Sequence, residues 1–314
     1  MGATTIGPRH PRRSGIYKVT SKTTRATMIG LLAILLWSSI VGLIRSVSAS
    51  FGATGGAALI YTVASILLLL TIGPSKVRAF PRAYLAWGSL LFVAYEMCLT
   101  LSIGYANTNR QAIEVGMVNY LWPAFTMVFA IVFNGQRTTW LIAPGLALAI
   151  GGVCWVLGGD AGLDPAAMAA NVHDNPLSYG LAFIGTLIWA SYCTVTARIA
   201  DGSNGVTLFF MLTATALWIK YLALGGEPMR VDLRALICLA LAAAAMGFGY
   251  AAWNVGILHG NVTVLAGASY FIPVLSAALA ALVLQTPLSL AFWQGAAMVC
   301  AGSILCWLAT RRKA

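Results

Sequence analysis

The chain is expected to fold as an all-α membrane protein of ten transmembrane helices, arranged as two inverted five-helix repeats. Three observations lead there. Hydrophobic residues fill 60% of the 314 positions and charged residues only 9%, where a soluble domain carries about 25% charged. Too little polar surface is left to coat a water-facing protein, so lipid must cover much of it. The apolar residues also gather into ten runs near the length of about 20 that spans hydrocarbon as a helix. Finally, the pattern of the first five runs recurs in the second five.

The first run, Thr27 to Ala49, follows a basic tail. It is too long for the apolar region of a signal peptide and no clear cleavage site follows, so it reads as a retained helix. Ala57 to Ile72, Tyr84 to Tyr105, Ala112 to Phe133 and Thr138 to Leu157 complete the first set. A longer loop, about Gly158 to Pro176, carries Asp164-Pro165 and Asn175-Pro176 as turn punctuation. The second set is Leu177 to Ile199, Val206 to Leu224, Ala235 to Leu258, Val262 to Leu284 and Leu288 to Thr310. Continuous runs, rather than alternating segments of about ten residues, exclude a transmembrane barrel. Cys98, Cys154, Cys193, Cys238, Cys300 and Cys306 all fall inside the runs without metal-ligand spacing and read as packing residues. With His10, His173 and His259 in loops or tails, no metal site, catalytic triad or cofactor is expected.

The net charge of +11 does not point to nucleic acid, because its distribution has a different logic. Arg9, Arg12, Arg13, Lys18, Lys22 and Arg25 precede the first run, and Arg311, Arg312 and Lys313 follow the last. Lys76, Arg78, Arg82, Arg137 and Arg198 fall on the same side of a zigzagging chain. Asp160, Asp164, Asp174, Glu227 and Asp232 fall on the other. Positive charge marks the cytoplasmic side, so both termini are expected there. The domains are then a basic cytoplasmic tail (1–26), a first repeat (27–158), a linking loop (159–176), a second repeat (177–310) and a second basic tail (311–314).

Tyr120-Leu121-Trp122-Pro123 recurs as Tyr270-Phe271-Ile272-Pro273, Gly145 and Gly152 pair with Gly295 and Gly302, and Trp37 and Ser39 pair with Trp189 and Ser191. Five helices per copy is an odd number, so the second copy enters the bilayer from the opposite face. Inverted repeats are a recurrent transporter plan, with a site at their interface near mid-membrane. One chain holds both copies, so an oligomer is not required.

Polar groups at membrane depth are costly and call for a function or a partner. Glu96, near the middle of the third run, reads either as a proton or amine partner or as a neutral carboxyl pinning helices together. Glu114 sits one turn inside the fourth run and reads as a structural or rim residue, and Arg45 and Lys220 are placed to snorkel, with guidance of an anionic carboxylate near the outer mouth as the alternative for Arg45. Trp37, Tyr95, Trp189, Tyr192, Tyr250 and Trp253 lie well inside their runs, away from the interfacial belts that Trp and Tyr normally form. Tyr250, Trp253 and Asn254 share one helix face. Tyr120 and Tyr270 each precede a proline by three residues, and Gly116 and Gly267 leave space a turn earlier. Together they describe a cavity walled by rings and hydroxyls, since an unpartnered phenol or indole in lipid would be expensive. The Gly-x-Gly at 247–249 follows no strand and is no nucleotide fingerprint.

The ten-helix layout, Trp37-Ser38-Ser39 in the first helix and a Tyr-x-x-Pro in helices four and nine resemble the drug/metabolite transporter superfamily, specifically its EamA-type branch. The resemblance covers about Thr27 to Thr310. It implies the drug/metabolite transporter fold, a small-molecule substrate and export of aromatic amino acids across a bacterial inner membrane. Methionine and threonine are further cargo it suggests. Trp37, Tyr95, Tyr120, Trp122, Trp189, Trp253 and Tyr270 match the family's central cavity. Ser38, Glu96, Tyr250 and Asn254 are added from the reading above. Gln136 and Gln285 stand where many EamA-type repeats place a Glu, and helix one holds no acid. A facilitator working by alternating access is therefore expected, with proton-coupled efflux of cationic drugs or other small metabolites through Glu96 as the alternative. An intramembrane enzyme would need a cluster of reactive groups that the sequence does not supply.

Overall fold

The computed structural model describes residues 21–310, so most of the basic residues in both tails lie outside it. Among the described residues there are helices and no strands. Helix α1 (Ser21–Ser38) turns by 41° into α2 (Ile40–Phe51), and α3 (Ala53–Thr71) follows. A π-helical turn at Tyr84–Gly88 leads into α4 (Ser89–Gly104). Then come α5 (Asn109–Asn119), α6 (Trp122–Asn134), α7 (Ile142–Leu157) and α8 (Pro165–Asp174). The remainder comprises α9 (Pro176–Ile199), α10 (Val206–Ala223), α11 (Leu233–His259), α12 (Val262–Ser269), α13 (Ile272–Leu284) and α14 (Leu290–Thr310).

Local chemistry sets these boundaries. Pro123 and Pro273 sit in the first turn of α6 and α13, where a missing N–H costs nothing, so each preceding helix stops just short of them. Thr108, Asp164, Asn175, Asp232 and Asn261 each offer a side-chain oxygen to the first free amides of the helix they precede. Asp164-Pro165 and Asn175-Pro176, expected as loop punctuation, thus cap and start α8 and α9. The expected linking loop carries a ten-residue helix, which no long apolar run announces. Helix α1 also begins before the expected span, because the exposed Lys22 and Arg25 extend the helix beyond its apolar part.

Among the described residues seven helical stretches are long and apolar enough to cross a bilayer, counting 84–104 and 109–134 as one each, and nine if the bent pairs α1–α2 and α12–α13 each count as one span. The expected span from Thr138 is helical only as α7, whose 16 residues reach about 24 Å at 1.5 Å per residue. Exposed Leu70, Trp140, Leu222 and Leu290 lie on the perimeter, as suits lipid contact. Inside, α1 packs on α11, α4 on α9, α3 on α10 and α7 on α14. Phe92, Phe209, Phe210 and Tyr61 are fully buried and meet in the core between α3, α4 and α10.

The α7–α14 contact is built from glycines. A Cβ at Gly145 would lie 2.8 Å from the Cys306 amide, and one at Gly295 would lie 3.1 Å from the Val156 amide. A Cβ at Gly152 would lie 2.8 Å from the Val299 amide, and one at Gly302 would strike Ala149. Only bare backbone allows the helices so close.

Candidate functional site

The bends and breaks surround a cavity of about 320 Å³. Trp37, Ile40 and Val41 reach it from the α1–α2 bend, and Tyr95, Glu96 and Leu99 from α4. Gly116, Asn119, Tyr120 and Trp122 come from the α5–α6 break, with Trp189 and Cys193 on α9. Met246, Tyr250 and Trp253 on α11, with Ser269 and Ile272 at the α12–α13 break, complete the wall.

The rings brace one another. Trp189 lies 4.4 Å from Tyr95, stacks on Tyr192 at 4.9 Å and meets Trp122 edge-on at 6.4 Å. Trp37 contacts Tyr250 at 5.2 Å and Trp253 at 5.3 Å. Tyr250 in turn packs on Phe210 at 5.4 Å and Phe92 at 5.6 Å. Position 249 must be glycine for this, because a Cβ there would lie 2.5 Å from Trp37 Nε1.

Glu96 is 1% exposed and fully engaged. Tyr61 donates its hydroxyl to Oε2 at 2.6 Å, and Tyr250 donates to Oε1 at 2.7 Å. One carboxyl on α4 thereby ties α3 to α11 beside the cavity. Of the two readings of Glu96 in the sequence, the helix-pinning geometry is present, and its place on the cavity wall keeps the partner role available.

Eight of the eleven candidates read from sequence line the cavity: Trp37, Tyr95, Glu96, Tyr120, Trp122, Trp189, Tyr250 and Trp253. Ser38 does not. It is buried and donates to the Ile34 carbonyl at 2.7 Å, a back-bond just before the bend. Asn254 is off the wall, although it lies one helical turn from Tyr250 on the same face. Tyr270 turns towards α14 and packs 6.0 Å from Trp307, leaving the wall to Ser269 and Ile272. Sequence reasoning missed Tyr61, Asn119 and Ser269. Asn119 and Ser269 stand immediately before the two Tyr-x-x-Pro motifs, and that shared place was a legible signal. Tyr61 is a lone phenol in an apolar run and offered none.

A second polar cluster closes one end of the bundle. Arg110 pairs with Glu114 at 3.0 Å and with Asp160 at 2.6 Å, and Tyr179 donates to Glu114 at 2.8 Å. Asn107 and Gln111 each donate to Asp174 at 3.0 Å, and Asn175 donates to Gln111 at 2.9 Å. Arg110 holds the Asp160 carboxyl below its ordinary range. Glu114 is thus bound within this cluster, away from the cavity wall. Arg45 donates to the Ala106 carbonyl at 2.7 Å and Lys220 to the Tyr105 hydroxyl at 2.9 Å. Among the described residues no three of His, Cys, Asp and Glu come together to hold a metal ion. Aromatic walls with a few fixed polar groups suit a small amphipathic solute.

Residues 176–308 match the EamA-like transporter family. The chain belongs to this family, whose members are transporters rather than enzymes, and is a multi-pass membrane protein. It is 60% identical over 289 residues to the aromatic amino acid exporter YddG of Salmonella typhimurium, covering 92% of this chain and 99% of that one. YddG of Escherichia coli K12 is also 60% identical, over 288 residues, with 92% and 98% covered. YddG of Ancylobacter novellus is 27% identical over 260 residues, with 80% and 86% covered. A crystal structure of a protein 25% identical to this chain superposes with a TM-score of 0.62 over 93% of this chain and 100% of that one.

Proposed function

We propose that the protein exports aromatic amino acids across a bacterial inner membrane by alternating access, as a facilitator. The reading rests on the ring-walled cavity, enclosed by elements from both halves of a chain 60% identical to aromatic amino acid exporters. Rings on the wall reward an aromatic side chain by about 0.5–1.5 kcal/mol per pair beyond area burial. Their faces also attract an ammonium.

The finer architecture belongs to the same proposal: ten spans, with residues 27–158 and 177–310 as inverted copies and both termini cytoplasmic. Exchanging the copies turns the α1–α11 contact into α9–α4 and leaves α3–α10 and α7–α14 unchanged, and all four pairs are present. The glycine joint supports it further. Gly145 meeting Cys306 mirrors Gly295 meeting Val156, and Gly152 meeting Val299 mirrors Gly302 meeting Ala149. A self-complementary contact of this kind is what a twofold axis requires.

Alternating access is supported by the way equivalent elements differ in shape. Helices α1 and α2 bend by 41° while α9 runs unbroken for 24 residues. Helices α12 and α13 bend by 54° while 109–134 passes as one span. Helix α5 is buried from Gln111 to Asn119, whereas only Leu265 of α12 is buried. With both termini inside, the tightly packed end faces outward and the loosened end faces the cytoplasm. Exchanging the two shapes would open the other side.

Glu96 on the wall favours one second reading, proton-coupled efflux of cationic drugs or other small metabolites. The test is counterflow: liposomes carrying purified protein and loaded with unlabelled phenylalanine should take up labelled phenylalanine. Tyrosine and tryptophan should compete. Uptake should persist without a pH gradient and in Glu96→Gln. Gradient-dependent transport lost in Glu96→Gln would favour the second reading, and no exchange of any aromatic amino acid would sink the first.

A further inference from the structure

We infer that Asn119 receives the α-ammonium group of the transported amino acid on its side-chain oxygen. The inference rests on the proposed function and adds which end of the solute is read, and by what.

Asn119 is the last residue of α5, at the break where Pro123 brings no amide to its backbone carbonyl. Thr186 reaches across from α9 to that carbonyl at 3.4 Å. The side chain is 5% exposed and lines the cavity. Its Nδ2 donates to the Tyr95 hydroxyl at 3.4 Å, while its Oδ1 is buried without any partner. A buried amide oxygen left unpaired is costly and calls for an explanation. The other buried oxygens without partners, on Ser48, Asn134, Ser276 and Ser303, are not on the cavity wall. Glu96, the neighbouring acceptor on the wall, has both oxygens occupied by phenols. Asn119 Oδ1 is therefore a buried side-chain carbonyl at the wall that lacks a donor.

The chemistry of the solute decides which group supplies one. A carboxylate offers only acceptors and a phenyl ring offers no hydrogen-bond donor. The ammonium group, with three N–H donors, is common to every amino acid. At Asn119 it would lie near the Tyr95 hydroxyl, on a wall that also carries the Trp189 ring.

The experiment is counterflow of labelled phenylalanine into liposomes, with three competitors: phenylalanine, phenethylamine (no carboxylate) and 3-phenylpropionate (no ammonium). In Asn119→Leu, the concentrations of phenylalanine and phenethylamine needed for half-competition should rise about tenfold or more. That of 3-phenylpropionate should not change. Asn119→Asp keeps an acceptor and should keep both ammonium-bearing competitors effective, which also guards against a merely misfolded Leu variant. Equal weakening of all three competitors, or of none, would overturn the assignment while wild-type exchange keeps the functional reading standing. A wild-type protein that exchanges no aromatic amino acid overturns both.

Discussion

Trp37 occupies the cavity wall because position 249 has no side chain. Gly249→Val would drive a methyl-bearing carbon into the indole, whose Nε1 already lies 2.5 Å from where a Cβ would sit. Losing one ring from the wall should weaken phenylalanine by about two- to tenfold, given 0.5–1.5 kcal/mol per ring pair. The half-saturation concentration in counterflow measures it. Gly267→Ala, with nothing within 4 Å of its Cβ, is the control that should leave it unchanged. Residue types at this scale were well announced by the sequence, since Trp and Tyr far from the interfaces need a dry or polar partner. Their direction was less so. Helices apolar all round lose the amphipathic stripe that tells one face from another. Asn254 and Tyr270 therefore looked equivalent to Trp253 and Tyr120, although Asn254 stands off the wall and Tyr270 packs on Trp307.

The joint between α7 and α14 rests on backbone approach. Gly302→Leu would place a Cβ 2.6 Å from the Gly145 carbonyl, where neither backbone can give way without parting the helices. Overpacking of this kind costs about 1–3 kcal/mol. A clear drop in thermal midpoint in detergent is expected. Gly151→Leu should be close to neutral, since its Cβ meets only the end of Met298 at 3.7 Å. Apolar run length located the long helices well, because hydrocarbon thickness fixes that length. It was blind to α8, which carries no such run, and to the bend at Ser39, which interrupts no apolar pattern. It also overstated α7, whose lead-in Thr138–Leu141 is apolar enough to join the run yet is not helical as a whole.

At the scale of the whole molecule, Arg110 holds α5 to the segment that precedes α8. The cluster closes the end proposed to face outward, so Arg110→Ala should favour the state open on that side. A cysteine placed at Ile113, buried in the wild-type packing, should then react several-fold faster with an impermeant thiol reagent than in the Arg110 background. Unchanged reactivity would remove Arg110 from the latch. The pH dependence has a definite sign. Arg110 holds the Asp160 carboxyl below its unfolded value, so the pair's stabilisation is complete above that value and lost as pH falls through the lower one. The difference in thermal midpoint between wild type and Asp160→Asn should stay level from about pH 8 to 5 and shrink progressively as pH falls below about 4. The proposed orientation comes from where Lys and Arg fall. Which end of the bundle is packed was not legible, because sequence describes both states of a moving protein equally.

The mirrored glycine joint carries one more consequence. On the inverted repeat proposed above, a surface that binds its own copy upside down needs to arise only once. A polypeptide half this length, carrying Gly145 and Gly152 alone, would already possess both faces of the seam if it could insert in lipid either way up. Joining two such halves end to end would then fix the ratio and handedness of a pairing that the shorter chain could make unaided.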